Sequence, residues 1–344
     1  MTDNPPPPVL PTGKLPVNEL DRILNLLPSE DPRVLIGPRP GEDAALLDMG
    51  DTCLVVATDP VTFAIDRIGW YAVHVNANDV AVLGAKPRWF FVVLLLPEGT
   101  STSQQAAAIM SDIGRTSAEI GVTVCGGHTE VTSGLARPIV IGQMLGEVPS
   151  GNVIRKEHLL VNDDVIVTHG SAIEGTAILA REMKGDLQGY VSSSLLARAE
   201  SLLFDPGISV LRAVRAAMAA GDVHAMHDPT EGGLETGLVE LVTAAGLGLE
   251  VFADRIPVLE ETSRICQHFK LDPLHLIASG ALLLATPPDT TAAVTAGLHA
   301  ARIPSAVIGK VRPASFGVLL RDRGCYRPLT PTARDELARL LDRS

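Results

Sequence analysis

Apolar and polar positions follow several periods along this chain, and each block of pattern predicts an element. Val17 to Leu27 has helical spacing. After the loop Gly37-Pro38-Arg39-Pro40-Gly41, the stretches Glu42-Asp43-Ala44-Ala45-Leu46-Leu47 and Thr52 to Asp59 read as two neighbouring strands. Asp43 stands where the first opens, and Asp59 where the second ends against Pro60, which cannot continue a ladder. His74 to Leu83, closed by Gly84-Ala85-Lys86-Pro87, reads as a helix that is apolar nearly all round yet carries Asn76, Asn78 and Asp79. Arg88 to Leu96 is an almost wholly apolar run that fits a strand buried on both faces, and Pro97 stops it. A helix from Thr102 to Gly121, a strand from Val122 leading into a Gly126-Gly127 turn, and a strand from Pro138 to Gly146 complete the first half. Gly151 to Asp163 connects the halves. The second half opens on a strand, Asp164 to Thr168, and continues with helices at Ala177 to Met183, Val210 to Ala220 and Glu260 to Phe269. Its other strands are expected at Leu247 to Phe252, Gly280 to Thr286 and Ser305 to Val311.

The polar residues of the buried helix are the first chemical signal. Asn76 and Asp79 lie three apart on one helical face, and an unpaired aspartate there costs several kcal/mol. Asp79 therefore needs a cation, a dense set of donors or a hard metal ion such as magnesium; a cap or a salt bridge to a neighbour would also satisfy it. Gly126-Gly127 is either a plain turn or a place where backbone amides approach a ligand. In His227-Asp228-Pro229-Thr230-Glu231-Gly232-Gly233, Asp228 or Thr230 can cap a helix whose first amides, at Gly232 and Gly233, suit an anion. His224 and His227 lack a third ligand at recognisable spacing, which argues against zinc. No Gly-Lys-Ser/Thr ends a phosphate loop, and no G-x-G-x-x-G opens a helix after the first strand, so P-loop and Rossmann readings fall away.

Composition sets the frame around these motifs. A chain of 344 residues with 46% hydrophobic and 20% charged residues calls for two domains without disulfide support. We expect an arm and short helix over 1–36, with Pro5 to Pro8 and Pro11 extended, then a first domain over 37–153 and a second over 154–344. Cys53, Cys125, Cys266 and Cys325 are scattered, and no signal peptide or long apolar span is present, so a cytoplasmic protein without membrane contact is expected. A net charge of −12 argues against nucleic acid. It does not exclude a nucleotide, because a magnesium ion between carboxylates and phosphates reverses the local field.

Five motifs in order carry a resemblance to a known group. They are Gly41-Glu42-Asp43-Ala44-Ala45, Ala57-Thr58-Asp59, Asn76 through Asp79 to Gly84-Ala85-Lys86-Pro87, Gly126-Gly127-His128-Thr129, and His227 through Leu234. The chain resembles the superfamily of aminoimidazole ribonucleotide (AIR) synthetase, thiamine-monophosphate kinase, selenophosphate synthetase and the hydrogenase-maturation protein HypE, and looks most like the HypE-like, AIR-synthase-related proteins. The resemblance implies a mixed α/β (α+β) two-domain fold, in which first-domain strands form a barrel with a second subunit and an α+β second domain packs alongside. It implies ATP near the subunit interface, with Asp43, Asp59 and Asp79 ligating magnesium. Asn76 or Asn78, Gly126, Gly127, His128, Thr129, Asp228, Gly232 and Gly233 would contribute to the nucleotide site. The implied chemistry is activation of a poorly reactive, amide- or carboxylate-like oxygen of a small molecule by the γ-phosphoryl group. HypE dehydrates a carbamoyl group carried on a C-terminal cysteine, whereas this chain ends Leu340-Leu341-Asp342-Arg343-Ser344, and Cys325 precedes a predicted helix. Ser279 and His128 stand where HypE has glutamate and aspartate. The alternatives are a thiamine-monophosphate-kinase-like phosphotransferase, or a non-catalytic nucleotide-binding protein that serves a maturation partner protein.

Overall fold

A computed structural model describes residues 10, 13–28, 31–62, 66–332 and 335–341, so the expected proline-rich arm at Pro5 to Pro8 and Pro11 lies outside the described residues. The first half runs α1 (Val17–Leu24), β1 (Val34–Ile36), β2 (Ala45–Asp48), β3 (Thr52–Val61), α2 (Ile68–Val82), β4 (Lys86–Pro97), α3 (Ser103–Ile120), β5 (Thr123–Thr132) and β6 (Ile139–Pro149). Its strands form one six-stranded sheet in the order β1-β2-β3-β6-β4-β5. Side chains alternate across that sheet, as the pleat requires. Cys53, Val55, Ala57, Phe90, Val92 and Met144 are buried on the face that α2 covers. Leu54, Val56, Trp89, Phe91, Ile141 and Leu145 occupy the opposite face, which no helix of the first half covers among the described residues.

Three local expectations change here. β4 alternates instead of being buried on both sides, with Trp89 36% and Phe91 38% exposed, because its apolar run serves two different faces. The ladder between β3 and β6 runs past Pro60 to Val61 opposite Val140, so the proline gives up a donor without ending the strand, and Asp59 sits inside it. Gly126-Gly127 is no turn: both glycines lie within β5 and pair with Phe91 and Val92 of β4. A Cβ on Gly127, at φ +151°, would lie 1.7 Å from the Val92 carbonyl oxygen, which explains the glycine there by close backbone approach.

The second half runs β7 (Asp164–Thr168), α4 (Ile173–Glu182), α5 (Lys184–Leu187), α6 (Ser193–Ser201), α7 (Leu211–Ala220), β8 (Ala225–His227), α8 (Gly233–Thr243), β9 (Gly248–Phe252) and α9 (Glu260–Phe269). It ends with β10 (Leu283–Thr286), α10 (Thr291–Ala300), β11 (Ser305–Arg312), β12 (Val318–Asp322), β13 (Cys325–Pro328) and α11 (Glu336–Leu341). The helix expected from Ala177 starts four residues earlier; Cys325 opens β13, and the helix expected after it is α11. The seven strands are ordered β13-β12-β9-β11-β7-β10-β8.

This second sheet is covered on both sides. Ile166, Met226 and Leu284 join the core that also holds α2 and the first sheet, whereas Val165, Val167, Ala225 and Leu283 pack with Leu234, Leu238 and Leu241 of α8. Continuous apolar strands such as Val165-Ile166-Val167 follow from that double burial. One core therefore spans both halves and fixes β8, with the loop after it, against α2. Among the described residues no helix is long and apolar enough to cross a membrane.

Candidate functional site

The site is built outward from α2. Asn76 is fully buried, and its Oδ1 accepts from the Asp59 backbone N–H at 2.9 Å while its Nδ2 donates to the Asp59 carbonyl at 3.3 Å and to Ala72 at 2.9 Å. β2 stops pairing opposite Val56, so beyond that point one edge of β3 has no strand beside it. The Asn76 carboxamide takes that place and holds Asp59 in register. Gly142 on β6 leaves room for it, since a Cβ there would come within 2.4 Å of Asn76 Nδ2. Asn78 turns toward the other half: its Nδ2 donates to the Ile208 carbonyl at 2.8 Å and its Oδ1 accepts from the Val210 N–H at 3.0 Å. Both asparagines thus spend their amides on backbone, one aligning Asp59 and one clamping α2 to the entry of α7.

Around this scaffold four carboxylates converge. Asp79 is 6% exposed, its Oδ2 has no hydrogen-bond partner among the described residues, and burial followed by Asp228, Asp59 and Asp43 raises its pKa well above the carboxylate range. Asp228 is 2% exposed with neither oxygen partnered, and burial, then Asp43, pushes its pKa up to about 8. Burial works against ionisation of Asp43 too, but the charges of His227 and Lys156 hold it well below its usual range. The His227 Nδ1 is 2.8 Å from Asp43 Oδ1 and its Nε2 is 3.0 Å from Glu240 Oε2; despite burial, Asp43 lifts the imidazole pKa to about 9. Lys156 Nζ lies 2.8 Å from Asp43 Oδ2, 3.1 Å from His227 Nδ1, and also donates to the Gly41 carbonyl.

Asp43, His227 and Asp228 present ligand atoms that all lie within 4.8 Å of one another. A buried carboxylate with no partner is stable only when neutral or beside a cation. The three orphaned oxygens of Asp79 and Asp228, with Asp59 and Asp43 alongside, therefore fit a hard divalent cation with oxygen ligands. Lys14, ahead of α1, places its Nζ 3.5 Å from Thr230 Oγ1. Desolvation would lower the Lys14 pKa, but Glu240, Glu231, Asp59 and Asp43 together raise it.

Two stretches expected in the site stand apart from these carboxylates within the single chain. The start of α8 does present a free amide, with Gly232 at φ +80° and Gly233 at φ +69°, but the anion there is the chain's own Asp335, which accepts from Gly232 N–H at 2.8 Å. Gly233 is required by crowding, since a Cβ would stand 2.4 Å from the Leu274 carbonyl oxygen. Gly126, Gly127, His128 and Thr129 lie on β5, three strands from β3, or about 14 Å at the usual strand spacing. There His128 pairs with Glu130 at 3.1 Å on the exposed edge. The fold thus brings together Asp43, Asp59, Asp79 and Asp228, uses Asn76 and Asn78 as supports, and leaves the β5 residues apart within one chain. Lys156, Glu240 and Lys14 carry no spacing signal in the sequence that would have placed them in the site, whereas His227 opens the fifth motif. The pairing of Asp43 with His227 depends on bringing residues 184 apart in sequence together.

A two-domain α/β protein with a buried acidic site where its halves meet is the class these features define. The chain belongs to the AIR synthase related family: that family's N-terminal domain matches residues 41–148, and its C-terminal domain matches residues 161–320. It is 30% identical over 261 residues to a protein of Methanocaldococcus jannaschii named for hydrogenase expression and formation, covering 74% of each chain. To carbamoyl dehydratase HypE of Rhodobacter capsulatus it is 31% identical over 265 residues, covering 75% of this chain and 74% of that one. The crystal structure of Escherichia coli HypE superposes with a TM-score of 0.71 at 25% identity, covering 94% of this chain and 98% of that chain. A hydrogenase maturation protein HypE solved in complex with ATP shares the fold at 24% identity and a TM-score of 0.67, covering 90% and 92%.

Proposed function

We propose that this protein is an ATP- and magnesium-dependent enzyme that transfers the γ-phosphoryl group to an amide- or carboxylate-like oxygen of a small molecule, or dehydrates that group, as its HypE relatives' name describes. The observation that carries the reading is the convergence of Asp43, Asp59, Asp79 and Asp228, with three buried carboxylate oxygens that no donor among the described residues satisfies. Those carboxylates would hold magnesium, which supplies charge neutralisation for ATP phosphates. Asn76 keeps Asp59 aligned, Lys156 fixes Asp43, and Lys14 adds a positive charge at the mouth. Positioning and charge compensation of this kind are what phosphoryl transfer asks of a protein.

The apolar outer face of the first sheet, half-buried at Leu54, Val56, Ile141 and Leu145 and exposed at Trp89 and Phe91, supports a homodimer, because an apolar sheet face open to solvent marks an interaction site. The Gly126-Gly127-His128-Thr129 stretch on the adjoining sheet edge would then contribute to the nucleotide site from the dimer. The test is ADP release with magnesium-ATP against a panel of simple carboxamides and carboxylates, with and without chelator. Stimulation that needs both magnesium and one acceptor class is expected. Release that is indifferent to the metal contradicts the proposal.

A further inference from the structure

Outside the four converging carboxylates, Glu174 is a further acid, among the described residues, that is buried without its full set of partners. Glu174 lies in the first turn of α4, is 4% exposed, and its Oε2 meets no donor. Ser279, 1% exposed, hydrogen-bonds the same carboxyl group. The loop that holds Ser279 is tied on one side to α4, by Gly175 N–H to the Ile277 carbonyl at 3.1 Å, and on the other to the loop after β8, by Ala278 N–H to the Thr230 carbonyl at 3.2 Å. Glu174 is therefore one hydrogen-bonded layer from the segment that begins at Asp228. From the first half it is faced by Tyr71, which lies on α2 two turns before Asp79 and whose hydroxyl pKa is raised by burial and then by Glu174. The other charges that face it are Asp335 and Glu231; Arg181, on its own helix, is paired with Asp66 at 2.6 Å.

A carboxyl with one satisfied oxygen and one free lone-pair oxygen, in the buried seam between two halves, is a poor structural element. Leaving such an acceptor unmade is costly. It is well suited to exchange a proton with a bound molecule, and burial places its pKa at about 7, where a proton acceptor works best.

We propose that Glu174 is the proton acceptor for the molecule that receives the phosphoryl group, an inference that rests on the function proposed above. As the amide oxygen forms its bond to the γ-phosphorus, the bond from that phosphorus to the β–γ bridging oxygen breaks and ADP leaves. The C–N bond becomes C=N, and the amide N–H proton passes to the free oxygen of Glu174. Ser279 orients the carboxylate and is a positioning residue.

The experiment compares wild type with Glu174→Gln, which keeps the shape and the bond to Ser279. Calorimetry of magnesium-ATP binding should give affinities within about twofold, since Glu174 touches none of the four aspartates. ADP release, with primary carboxamides from formamide to nicotinamide or with water as the acceptor, should fall at least 100-fold in the variant. The wild-type rate should rise with pH through a single ionisation near 7 that the variant's residual rate lacks. Infrared difference spectra between the two proteins should show a protonated carboxyl band that disappears over the same pH range. Equal rates and pH profiles in the two proteins, or a carboxyl band unchanged from pH 5 to 9, overturn the assignment to Glu174 alone. Wild type that does not bind magnesium-ATP overturns the functional reading beneath it instead.

Discussion

Replacing Asp228 by asparagine should make the metal-free protein more stable, although it removes a residue at the centre of the site. In the folded chain burial and Asp43 push the Asp228 pKa to about 8, against 3.8 for a free side chain. At pH 7 the unfolded side chain is ionised and the folded one protonated, so folding must take up a proton. At about 1.4 kcal/mol per pH unit, the interval from 3.8 to 7 sets an upper bound of roughly 4 kcal/mol that this carboxyl withholds from stability. Asparagine carries no such penalty, and its presence also relieves Asp79, whose largest electrostatic opponent is Asp228. We expect a gain of about 1–4 kcal/mol at pH 7 in the presence of chelator, a shift of about 2–4 °C per kcal/mol for domains of this size. The gain should shrink to below about 1 kcal/mol near pH 4 and vanish below about pH 3, where the wild-type side chain is neutral in both states. Magnesium-ATP should reverse the order. At about 100 times its dissociation constant it adds roughly 2.7 kcal/mol to the wild type, and little to a variant that has lost an oxygen ligand. Melting curves by calorimetry at pH 4 and 7, with chelator and with magnesium-ATP, read all four states. A variant that melts below wild type in chelator, while keeping the full nucleotide shift, would refute the reasoning and make Asp228 an ordinary structural acid.

Other perturbations follow from the same geometry. Asp228, Glu174 at about 7 and Asp335 at about 6 have folded pKa values above their unfolded ones, so the stability their neutral forms permit is full at low pH and lost as pH rises through those values. The pairing of His227 stabilises below its unfolded 6.5 and fades as pH passes about 9. Urea melts in chelator should therefore weaken from pH 5 to 9, excess magnesium should flatten the decline, and a metal-free protein that strengthens over that range counts against the site. Asn76→Ala strands both backbone groups of Asp59 and should cost about 1–3 kcal/mol in urea melts, with weaker magnesium-ATP binding besides; an unchanged midpoint would show that β3 does not need the side chain. Phe91→Asp alters an exposed position on the uncovered sheet face and should leave the fold intact while turning a dimer into a monomer by light scattering; a wild type that is already monomeric removes the interface.

Much of the architecture is legible in the sequence because the two sheets are patterned differently. The first alternates along β3, where Cys53, Val55 and Ala57 point to α2, and the second runs continuously apolar through Val165-Ile166-Val167 because both of its faces are covered. β4 misleads because its outward residues are as apolar as its inward ones, a pattern that a covered face and an uncovered apolar face produce alike. Asp43, Asp59 and Asp79 are readable as site candidates, since each interrupts an apolar setting at an element edge or on a buried helix. Their supports are not readable in the same way. Asn76 and Asn78 look like ligands in sequence, and only their backbone partners at Asp59, Ile208 and Val210 reveal them as struts. Lys156 lies in what reads as a connecting segment, and Asp335 reaches α8 from a hundred residues away, so neither leaves a local trace.

The central claim is that four converging carboxylates, Asp79 and Asp228 buried and Asp43 and Asp59 half-buried, hold a divalent ion on which nucleotide binding depends. Isothermal titration of ATP into the protein, once with excess magnesium and once with chelator, tests it most directly, with Asp79→Asn run beside wild type. Saturable binding in magnesium, its loss in chelator, and affinity at least 10-fold weaker in Asp79→Asn are the predicted results. Binding of equal strength with and without the metal, or an Asp79→Asn protein that binds as wild type does, would contradict the account.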